Sequence, residues 1–417
     1  MSEETIILDN GSFEIKFGLR GQKEPYRALN CLTKDKYGNY HLSNQVRSLK
    51  DISSVTIRRP HELGQLTSWE LEHHIWDYCF FNPDEFGGWQ LGKTKDKHLI
   101  ATETCMTIPE LSKNMDQVVF EEYEFGSLFK APTAAFVPFN HQSDEMSYFS
   151  AKEDFPETEL APASEYNDFQ LVVDSGFNCT WIVPIIKGIP YYKAVKRLDI
   201  GGRFLNGLLK ETLSFRHYNV MDETLLVNNI KQHCIFVSPV SYFDSFQNRL
   251  RTSKEYVLPD FHTSFQGYLR KRGQELPENS QTITLQDELF SVPETFFHPE
   301  VASLTNPGLI ETILESISMV PETIRPLMVG NIALIGGNFN IPNFPERLLT
   351  ELQRQCPTDW SCRGMVPSGD KALYGWESMC QFANTDAYVR ARFTREEYNE
   401  HGADWCTRNR FGYMKWM

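Results

Sequence analysis

The stretch Ile6-Ile7-Leu8-Asp9-Asn10-Gly11 decides the fold, because Leu171-Val172-Val173-Asp174-Ser175-Gly176 repeats its pattern in the second half of the chain. Each stretch is an apolar, β-branched run that ends in a turn containing Asp and Gly and leads into a second strand-like run. One such turn predicts only a tight hairpin. Two turns, at the starts of the two halves, predict a duplicated α/β domain in which one turn of each lobe faces a shared cleft.

Length and composition narrow the class of protein. At 417 residues the chain exceeds what one hydrophobic core usually supports, so two lobes are expected. The net charge of −14 disfavours sequence-independent DNA binding, so any nucleic-acid role is expected to be indirect. No apolar run reaches about 18 residues, and the acidic start does not resemble a signal peptide. Nine scattered cysteines without CxxC spacing predict reduced, buried thiols in the cytosol or nucleus.

Composition also divides the chain. Thr67 and Glu70 predict a capping box at the start of a helix over about 68–80. The basic triplet at 270–272 has two interpretations, a solvated loop tip or a partner-docking site.

We predict a first lobe over 1–140, a polar insertion or linker over 141–168, a second lobe over 169–390 with an insertion over about 261–279, and a C-terminal segment over 391–417 that packs back on the first lobe.

The turns suit phosphate chemistry. Backbone N–H groups at small-residue turns can bind phosphate oxygens, and the two Asp carboxylates can hold a hydrated cation. Gly336-Gly337 offers a third contact, where a nucleotide can approach the backbone. The chain has no GxxxxGK[ST], G-x-S-x-G or H-E-x-x-H motif, and Cys356 and Cys362 lack nearby histidines, so no protein-ligated metal site is predicted.

These residues resemble a known superfamily, that of actin, Hsp70 and the sugar kinases, and most closely the actin family. The implied fold is actin-like, a ribonuclease H-like duplicated α/β fold with two lobes around a central nucleotide cleft and two insertions. Among actin-related proteins, the stretches 58–80, 168–218 and 401–413 look most like a nuclear class. The segments that carry the wider resemblance are 6–16, 59–76, 171–186, 198–203, 293–299, 331–337 and 394–402.

The resemblance implies a degenerate nucleotide pocket that keeps the family's binding residues. The two aspartates would hold the water shell of a metal ion, the residues of the two turns would contact phosphates, and the remaining residues would lie near the sugar and base. The implied binding residues are Asp9, Gly11, Ser12, Lys16, Asp174, Gly176, Lys231, Gly336 and Gly337.

Other positions depart from the family. Phe13 stands where actin has a small residue, and Phe177 and Asn178 replace an acidic residue and a glycine. Alignment places Thr133 and Trp181 where a glutamine and a histidine orient the attacking water. Because losing such groups costs orders of magnitude in rate, no catalytic residue and no required cofactor is predicted. Binding of ATP or ADP is an open alternative.

Two further departures concern adenine and self-assembly. Asp370 falls where actin places a lysine beside the adenine, and 374–377 replaces the family's Trp-x-Gly-Gly, which disfavours adenine binding. The segments 33–50 and 300–307 lack the apolar subunit contacts of actin, so no self-filament is expected.

The favoured hypothesis is a non-catalytic actin-related scaffold subunit of a nuclear ATP-dependent chromatin-remodelling complex of the Swr type, which performs histone-variant exchange and supports transcriptional regulation. The resemblance implies as partners a Swi/Snf-family motor subunit and a small zinc-finger subunit, with nucleosomes or histones contacted indirectly and no membrane. Localisation would be nuclear and also cytoplasmic. The alternatives are a slow ATPase or ATP-gated actin/Hsp70-like enzyme that uses Asp9 and Asp174, and a cytoplasmic filament former.

Overall fold

The computed structural model describes residues 4–52, 55–140, 167–239, 242–248, 252–260, 266–271, 273–277 and 279–409, and the backbone alone over 146–150. Its strands are, in chain order, β1 (Thr5–Asn10), β2 (Glu14–Leu19), β3 (Tyr26–Leu29), β4 (Leu32–Lys34), β5 (Tyr40–Leu42), β6 (Thr56–Arg58), β7 (His61–Glu62), β8 (Gln65–Leu66), β9 (His98–Thr102), β10 (Ser127–Ala131), β11 (Met146–Ser150), β12 (Phe169–Ser175), β13 (Thr180–Ile186), β14 (Ile189–Pro190), β15 (Lys196–Leu198), β16 (Lys254–Val257), β17 (Tyr268–Leu269), β18 (Thr282–Leu285), β19 (Ile332–Ile335), β20 (Arg363–Pro367) and β21 (Phe393–Thr394).

Its α-helices are α1 (Trp69–Phe81), α2 (Pro109–Gln117), α3 (Gly202–Arg216), α4 (Thr224–Cys234), α5 (Tyr242–Gln247), α6 (Glu288–Glu294), α7 (Leu309–Ser318), α8 (Arg325–Val329), α9 (Phe344–Gln355), α10 (Tyr374–Phe382), α11 (Asp386–Ala391) and α12 (Arg395–Asn409). None of the described helices combines the length and the hydropathy that crossing a bilayer requires.

Two large sheets share one topology. The first has the strand order β21-β10-β9-β1-β2-β3, and the second has the order β11-β20-β19-β12-β13-β14 with β15 also paired to β13. In each sheet the strand that precedes the Asp-containing turn pairs antiparallel with the next strand and parallel with a later one. The duplicated α/β fold predicted from the repeated turns is therefore confirmed.

Each lobe buries its own core. In the first lobe an aromatic cluster that includes Phe17, Trp76 and Phe80 packs on the sheet. In the second, the predicted apolar face of α3 is buried through Leu205, Leu209 and Leu213. Both β1 and β12 are almost wholly buried, as expected of strands whose two faces are covered. This burial fixes the two turns at the edges where the lobes meet.

The chain returns to the first lobe after its second sheet. Trp376 and Met379 of α10 pack in one cluster with Ile7 and Ile100 of the first sheet. Strand β21 then pairs with β10, and α12 contacts α2. Residues 410–417 lie outside the described part of the chain.

Local structure differs from expectation in three places. Helix α1 begins at Trp69 without a side-chain cap, and the Thr67 hydroxyl donates to the Pro60 carbonyl, so the predicted capping box is wrong. Within the predicted insertion at 141–168, β11 pairs with β20, whereas 141–145 and 151–166 lie outside the described residues. Within the second insertion, β17 pairs with β16 and Arg270 forms an ion pair with Glu255, so Arg270 is not a free loop cation.

Candidate functional site

A cavity of about 630 Å³, here called the inner cavity, lies between the two Asp-containing turns. Its walls come from both lobes, because β1 and β12 end at the same cleft. The structure brings all of the binding residues implied by the sequence to this cavity. They are Asp9, Gly11, Ser12, Lys16, Asp174, Gly176, Lys231, Gly336 and Gly337.

The first turn is held by a buried ion pair. Lys16 Nζ lies 2.8 Å from Asp9 Oδ2, and the Thr102 hydroxyl donates to Asp9 Oδ1 at 3.0 Å. Burial opposes the charge on Lys16, but Asp9 leaves the pKa of Lys16 raised above its ordinary value. Only glycine fits at position 11, because a Cβ there would lie 2.6 Å from the Glu14 carbonyl oxygen.

The second turn has no equivalent cation. In the β1–β2 register Asp9 faces Lys16, and at the corresponding place in β12–β13 Asp174 faces Trp181. Burial and the neighbouring Asp9 charge therefore raise the pKa of Asp174 to about 7, with only Lys16 opposing the shift. At neutral pH the second aspartate carries a proton in part of the molecules.

The β19 turn closes against the second turn through a glycine. Gly336 has a φ of +97°, and a Cβ there would lie 2.4 Å from the Ser175 carbonyl oxygen. Asn338 Nδ2 donates to Ser175 Oγ at 3.0 Å and to the Gly176 carbonyl at 2.7 Å. These contacts place the third predicted turn directly beside the second.

Lys231 of α4 is an amine whose charge depends on pH near neutrality. Burial, with repulsion from Arg59, lowers the pKa of Lys231 to about 7. Its Nζ donates to the Gly202 carbonyl at 3.1 Å. Together with Asp174, it gives the inner cavity groups whose charge can change when an anion or a hydrated cation binds.

The two turns are joined by an aromatic contact that encloses an arginine. The rings of Phe13 and Phe177 lie 5.1 Å apart, and the Arg59 guanidinium carbon lies 4.8 and 4.7 Å from their centroids. Arg59 Nη1 also donates to the carbonyls of Ser12, Phe13 and Asn30 at 2.9–3.1 Å. This Phe13–Arg59–Phe177 bridge crosses the gap between the phosphate turns, and its two rings form part of the wall of the inner cavity.

Arg59 was missed by residue-based reasoning, although it lies in a segment that resembles actin. The chain shows only an arginine before a proline in a strand-rich region, and nothing local indicates that its side chain reaches both turns. Arg59 interacts with carbonyls and rings that are distant along the chain, and only the fold brings these together.

The residues that replace the family's water-orienting pair both line the inner cavity. The methyl group of Thr133 packs against the backbone of Gly375. A Cβ on residue 375 would lie 2.5 Å from that methyl carbon. Trp181 is partly buried, and the Arg197 guanidinium lies 5.5 Å from its ring. An indole donates but does not accept a hydrogen bond, so Trp181 cannot take a proton from water.

Asp370 links the lobes at the opposite end of the inner cavity. Its Oδ2 lies 2.9 Å from Arg27 Nη1 of β3, and its Oδ1 accepts from Asn340 Nδ2 at 2.6 Å. Arg27 also pairs with Glu14 at 2.6 Å, and Glu14 pairs with Arg47. The carboxylate is thus held in an interlobe network at the place where a lysine would stand beside adenine.

The fold and this duplicated cleft define an actin-type protein, and sequence comparison agrees. The actin family profile matches residues 1–411, so the chain belongs to the actin family. It is 62% identical over 438 residues to Actin-like protein ARP6 of Saccharomyces cerevisiae, covering 100% of both chains. It is 64% identical over 412 residues to the protein of that name from Eremothecium gossypii, covering 99% of both.

A more distant relative extends the comparison. Actin-related protein 6 of Neurospora crassa is 30% identical over 431 residues, which cover 97% of this chain and 93% of the relative. The class of actin-related proteins that the sequence resembles is actin-related protein 6, and these names confirm that resemblance.

Proposed function

We propose that the protein is a non-catalytic actin-related scaffold subunit of a nuclear ATP-dependent chromatin-remodelling complex that exchanges histone variants and supports transcriptional regulation. The Phe13–Arg59–Phe177 bridge carries the non-catalytic part of this proposal. It crosses the gap between the phosphate turns, and its two rings line the inner cavity, where an actin-type enzyme needs room for the terminal phosphate and its attacking water.

The residues around that gap support the same conclusion. Hydrolysis depends on orienting a water molecule in line with the phosphate, and Thr133 and Trp181 replace the groups that do so in actin. Asp174 also carries a raised pKa of about 7, which weakens its hold on a divalent cation at neutral pH. ATP hydrolysis is therefore assigned to a Swi/Snf-family motor partner, and not to this chain.

The inner cavity nevertheless suits a nucleoside phosphate. Gly11 and Gly336 leave backbone exposed where any side chain would collide, and Lys16 and Lys231 supply cations. Bound ATP or ADP is compatible with the proposal as a structural ligand that is not turned over, and no cofactor is required for scaffolding.

The scaffold role is supported by family likeness over the full chain. The proposed partners are the motor subunit and a small zinc-finger subunit, with nucleosomes contacted through them, and the proposed location is the nucleus and also the cytoplasm. The insertions at 141–168 and about 261–279 are the proposed docking surfaces, because loops on a fixed scaffold commonly carry binding specificity.

Affinity purification from nuclear extract, followed by mass spectrometry, tests the assignment to a complex. We expect a Swi/Snf-family motor and a small zinc-finger protein to be recovered in stoichiometric amounts. Recovery of the tagged chain without such a motor would contradict the scaffold proposal.

The retained Asp9, Asp174 and Lys16 favour one competing function, a slow ATPase. Purified protein with ATP and Mg²⁺ is compared with a variant that combines Asp9→Ala and Asp174→Ala. We expect equal phosphate release from both proteins. Turnover that exceeds the double variant would establish the enzyme and exclude a purely structural role.

A further inference from the structure

A second and larger cavity lies on the other side of the Phe13–Arg59–Phe177 bridge. It measures about 1290 Å³, and we call it the outer cleft. Phe13, His61 and Phe177 line both cavities, so they form the partition between them. The first lobe contributes one wall of the outer cleft, and helices α3 and α4 contribute the other.

One face of α3 lies along this cleft. Arg203, Asn206, Gly207 and Lys210 are spaced at three, four and seven residues, so they share a stripe of the helix. Gly207 lies within the helix, and a Cβ there would meet no atom within 4 Å. Glycine inside a helix costs about 1 kcal/mol relative to alanine. No contact within the described chain accounts for that cost, and the missing side chain leaves open space at the helix backbone.

The charge of the cleft is opposite to that of the whole protein. Six cationic side chains and three carboxylates line it, although the chain has a net charge of −14. The carboxylates are Glu14, Glu62 and Glu70, and the cations are Arg27, Arg47, Arg58, Arg59, Arg203 and Lys210.

Three of these six cationic side chains already interact with groups of the chain itself. Arg27 and Arg47 pair with Glu14, and Arg59 is bonded to backbone carbonyls. Among the described residues, Arg58, Arg203 and Lys210 have no carboxylate partner. The outer cleft therefore offers three cations to a ligand, and charge complementarity favours an acidic one.

The remaining lining suits a polypeptide. Carboxamides both donate and accept hydrogen bonds, as the peptide backbone does. Asn206 Nδ2 donates to Asn228 at 3.1 Å, while its buried Oδ1 has no hydrogen-bond partner. The opposite wall, from the first lobe, presents apolar side chains among its charged ones. The carboxamides of the cleft are Asn206, Asn228, Asn229, Gln232 and Gln266, and the apolar side chains of the first-lobe wall include Leu29, Leu32, Ile57 and Leu71.

We propose that the outer cleft binds an extended acidic peptide segment of a partner protein. Carboxylates of the segment bind Arg58, Arg203 and Lys210, and its backbone bonds to the carboxamides of α3 and α4. Its apolar side chains contact the first-lobe wall, and Gly207 lets the segment approach α3 closely. The outer cleft adjoins the inner cavity and shares part of its lining, and Gln266 of the second insertion contributes to it. The proposed site does not depend on the identity of the complex proposed above.

Selection from a display library of random peptides tests the proposal on the purified full-length chain. The library presents peptides of about ten residues, which extend to about 33 Å. We expect enrichment of sequences rich in Asp and Glu. Their affinity should fall about tenfold or more when Arg203→Glu and Lys210→Glu are combined.

Three variants provide controls. Gly207→Glu places a carboxylate in the cleft and should abolish peptide binding, whereas Gly207→Ala adds only a methyl group and should weaken binding less while it stabilises the helix. Arg354→Glu reverses an exposed cation on α9, outside the cleft, and should leave binding unchanged. Circular dichroism verifies folding, and the Arg203→Glu/Lys210→Glu pair decides the question if Gly207→Glu is unfolded.

Other results would overturn the proposal. Selected peptides without an acidic excess, no selected peptide at all, or equal affinity for the charge-reversed pair would each exclude an acidic peptide in this cleft. A labelled RNA or DNA duplex that binds through Arg203 and Lys210 more tightly than the peptides would identify a nucleic-acid site. Self-association that Gly207→Glu abolishes would identify a second copy of the chain.

Discussion

Phe13 and Phe177 belong to different lobes, and their ring centroids lie 5.1 Å apart between the two phosphate turns. The Arg59 guanidinium contacts both rings and three backbone carbonyls. The two turns that make the family a nucleotide clamp are thus joined by the protein's own side chains.

Removing the arginine tests the bridge. Arg59→Ala leaves the carbonyls of Ser12, Phe13 and Asn30 without their donor and the two rings without their cation. We expect the free energy of unfolding to fall by about 3 kcal/mol, measured by urea denaturation. Arg58→Ala, at the exposed neighbouring position, should change it by no more than about 0.5 kcal/mol. Equal effects of the two substitutions would contradict the structural role of Arg59.

The Arg27–Asp370 ion pair is expected to control opening of the cleft more than stability. Both side chains are partly exposed, so the pair contributes at most about 1 kcal/mol. Asp370→Lys should repel Arg27 and increase hydrogen exchange in β3 and around Asn340. Lys196→Ala, which breaks an ion pair within the second lobe, serves as the control and should leave exchange at the cleft unchanged.

Glu72 predicts a pH dependence of stability. It is fully buried beneath the first turn, accepts hydrogen bonds from Asn30 and Trp76, and burial raises its pKa to about 7. The pKa of Glu72 is about 4.5 in the unfolded chain and about 7 in the folded protein. Between these pH values the folded state binds the proton more tightly, so this contribution to stability is lost as pH rises through 7.

Glu72→Gln tests this pH dependence. The free energy of unfolding of the variant, relative to that of the wild type, should rise by on the order of 2 kcal/mol from pH 5 to pH 8. Thermal unfolding at both pH values measures the gain. Glu70→Gln, at an exposed position of the same helix, should show no such trend. A parallel pH profile for wild type and Glu72→Gln would show that Glu72 stays ionised.

Restoring the family's water-orienting residues should not restore hydrolysis. Thr133→Gln combined with Trp181→His leaves Phe13, Arg59 and Phe177 in the gap. We expect phosphate release to remain at the level of the Asp9→Ala/Asp174→Ala variant. Adding Phe13→Gly and Phe177→Asp opens the gap, and release should then rise about tenfold or more above that background. Hydrolysis by the first variant alone would show that the bridge does not exclude the reaction.

The repeated turns were sufficient to predict the duplicated fold with a shared cleft, and the resemblance to the actin family implied the nine binding residues. A β-branched run that ends at a small-residue turn is a local pattern, and its repetition specifies which parts of the chain are equivalent. The sheets confirm this equivalence strand by strand. Departures such as Phe13, Thr133 and Trp181 were also visible, because alignment with actin places each of them against a residue of different chemistry.

Local signals were less reliable where tertiary contacts compete. Thr67 and Glu70 have capping-box spacing, yet Thr67 bonds to Pro60 and α1 begins two residues after it. The β7–β8 hairpin that precedes the helix places Pro60 within reach of the Thr67 hydroxyl. A hydroxyl can accept a hydrogen bond from a helix N–H or donate one to a nearby carbonyl, and it makes the bond that the surrounding fold presents.

The sequence by itself determined the actin-type α/β fold, the two turns and the loss of the water-orienting residues. Only the tertiary structure decided what fills the space between the turns. Arg59 reaches carbonyls up to 47 residues away, and Arg27 pairs with Asp370 across 343 residues. Such contacts depend on the relative position of two lobes, which no local spacing encodes. The same relative position creates the outer cleft, whose basic and carboxamide lining is assembled from segments far apart along the chain.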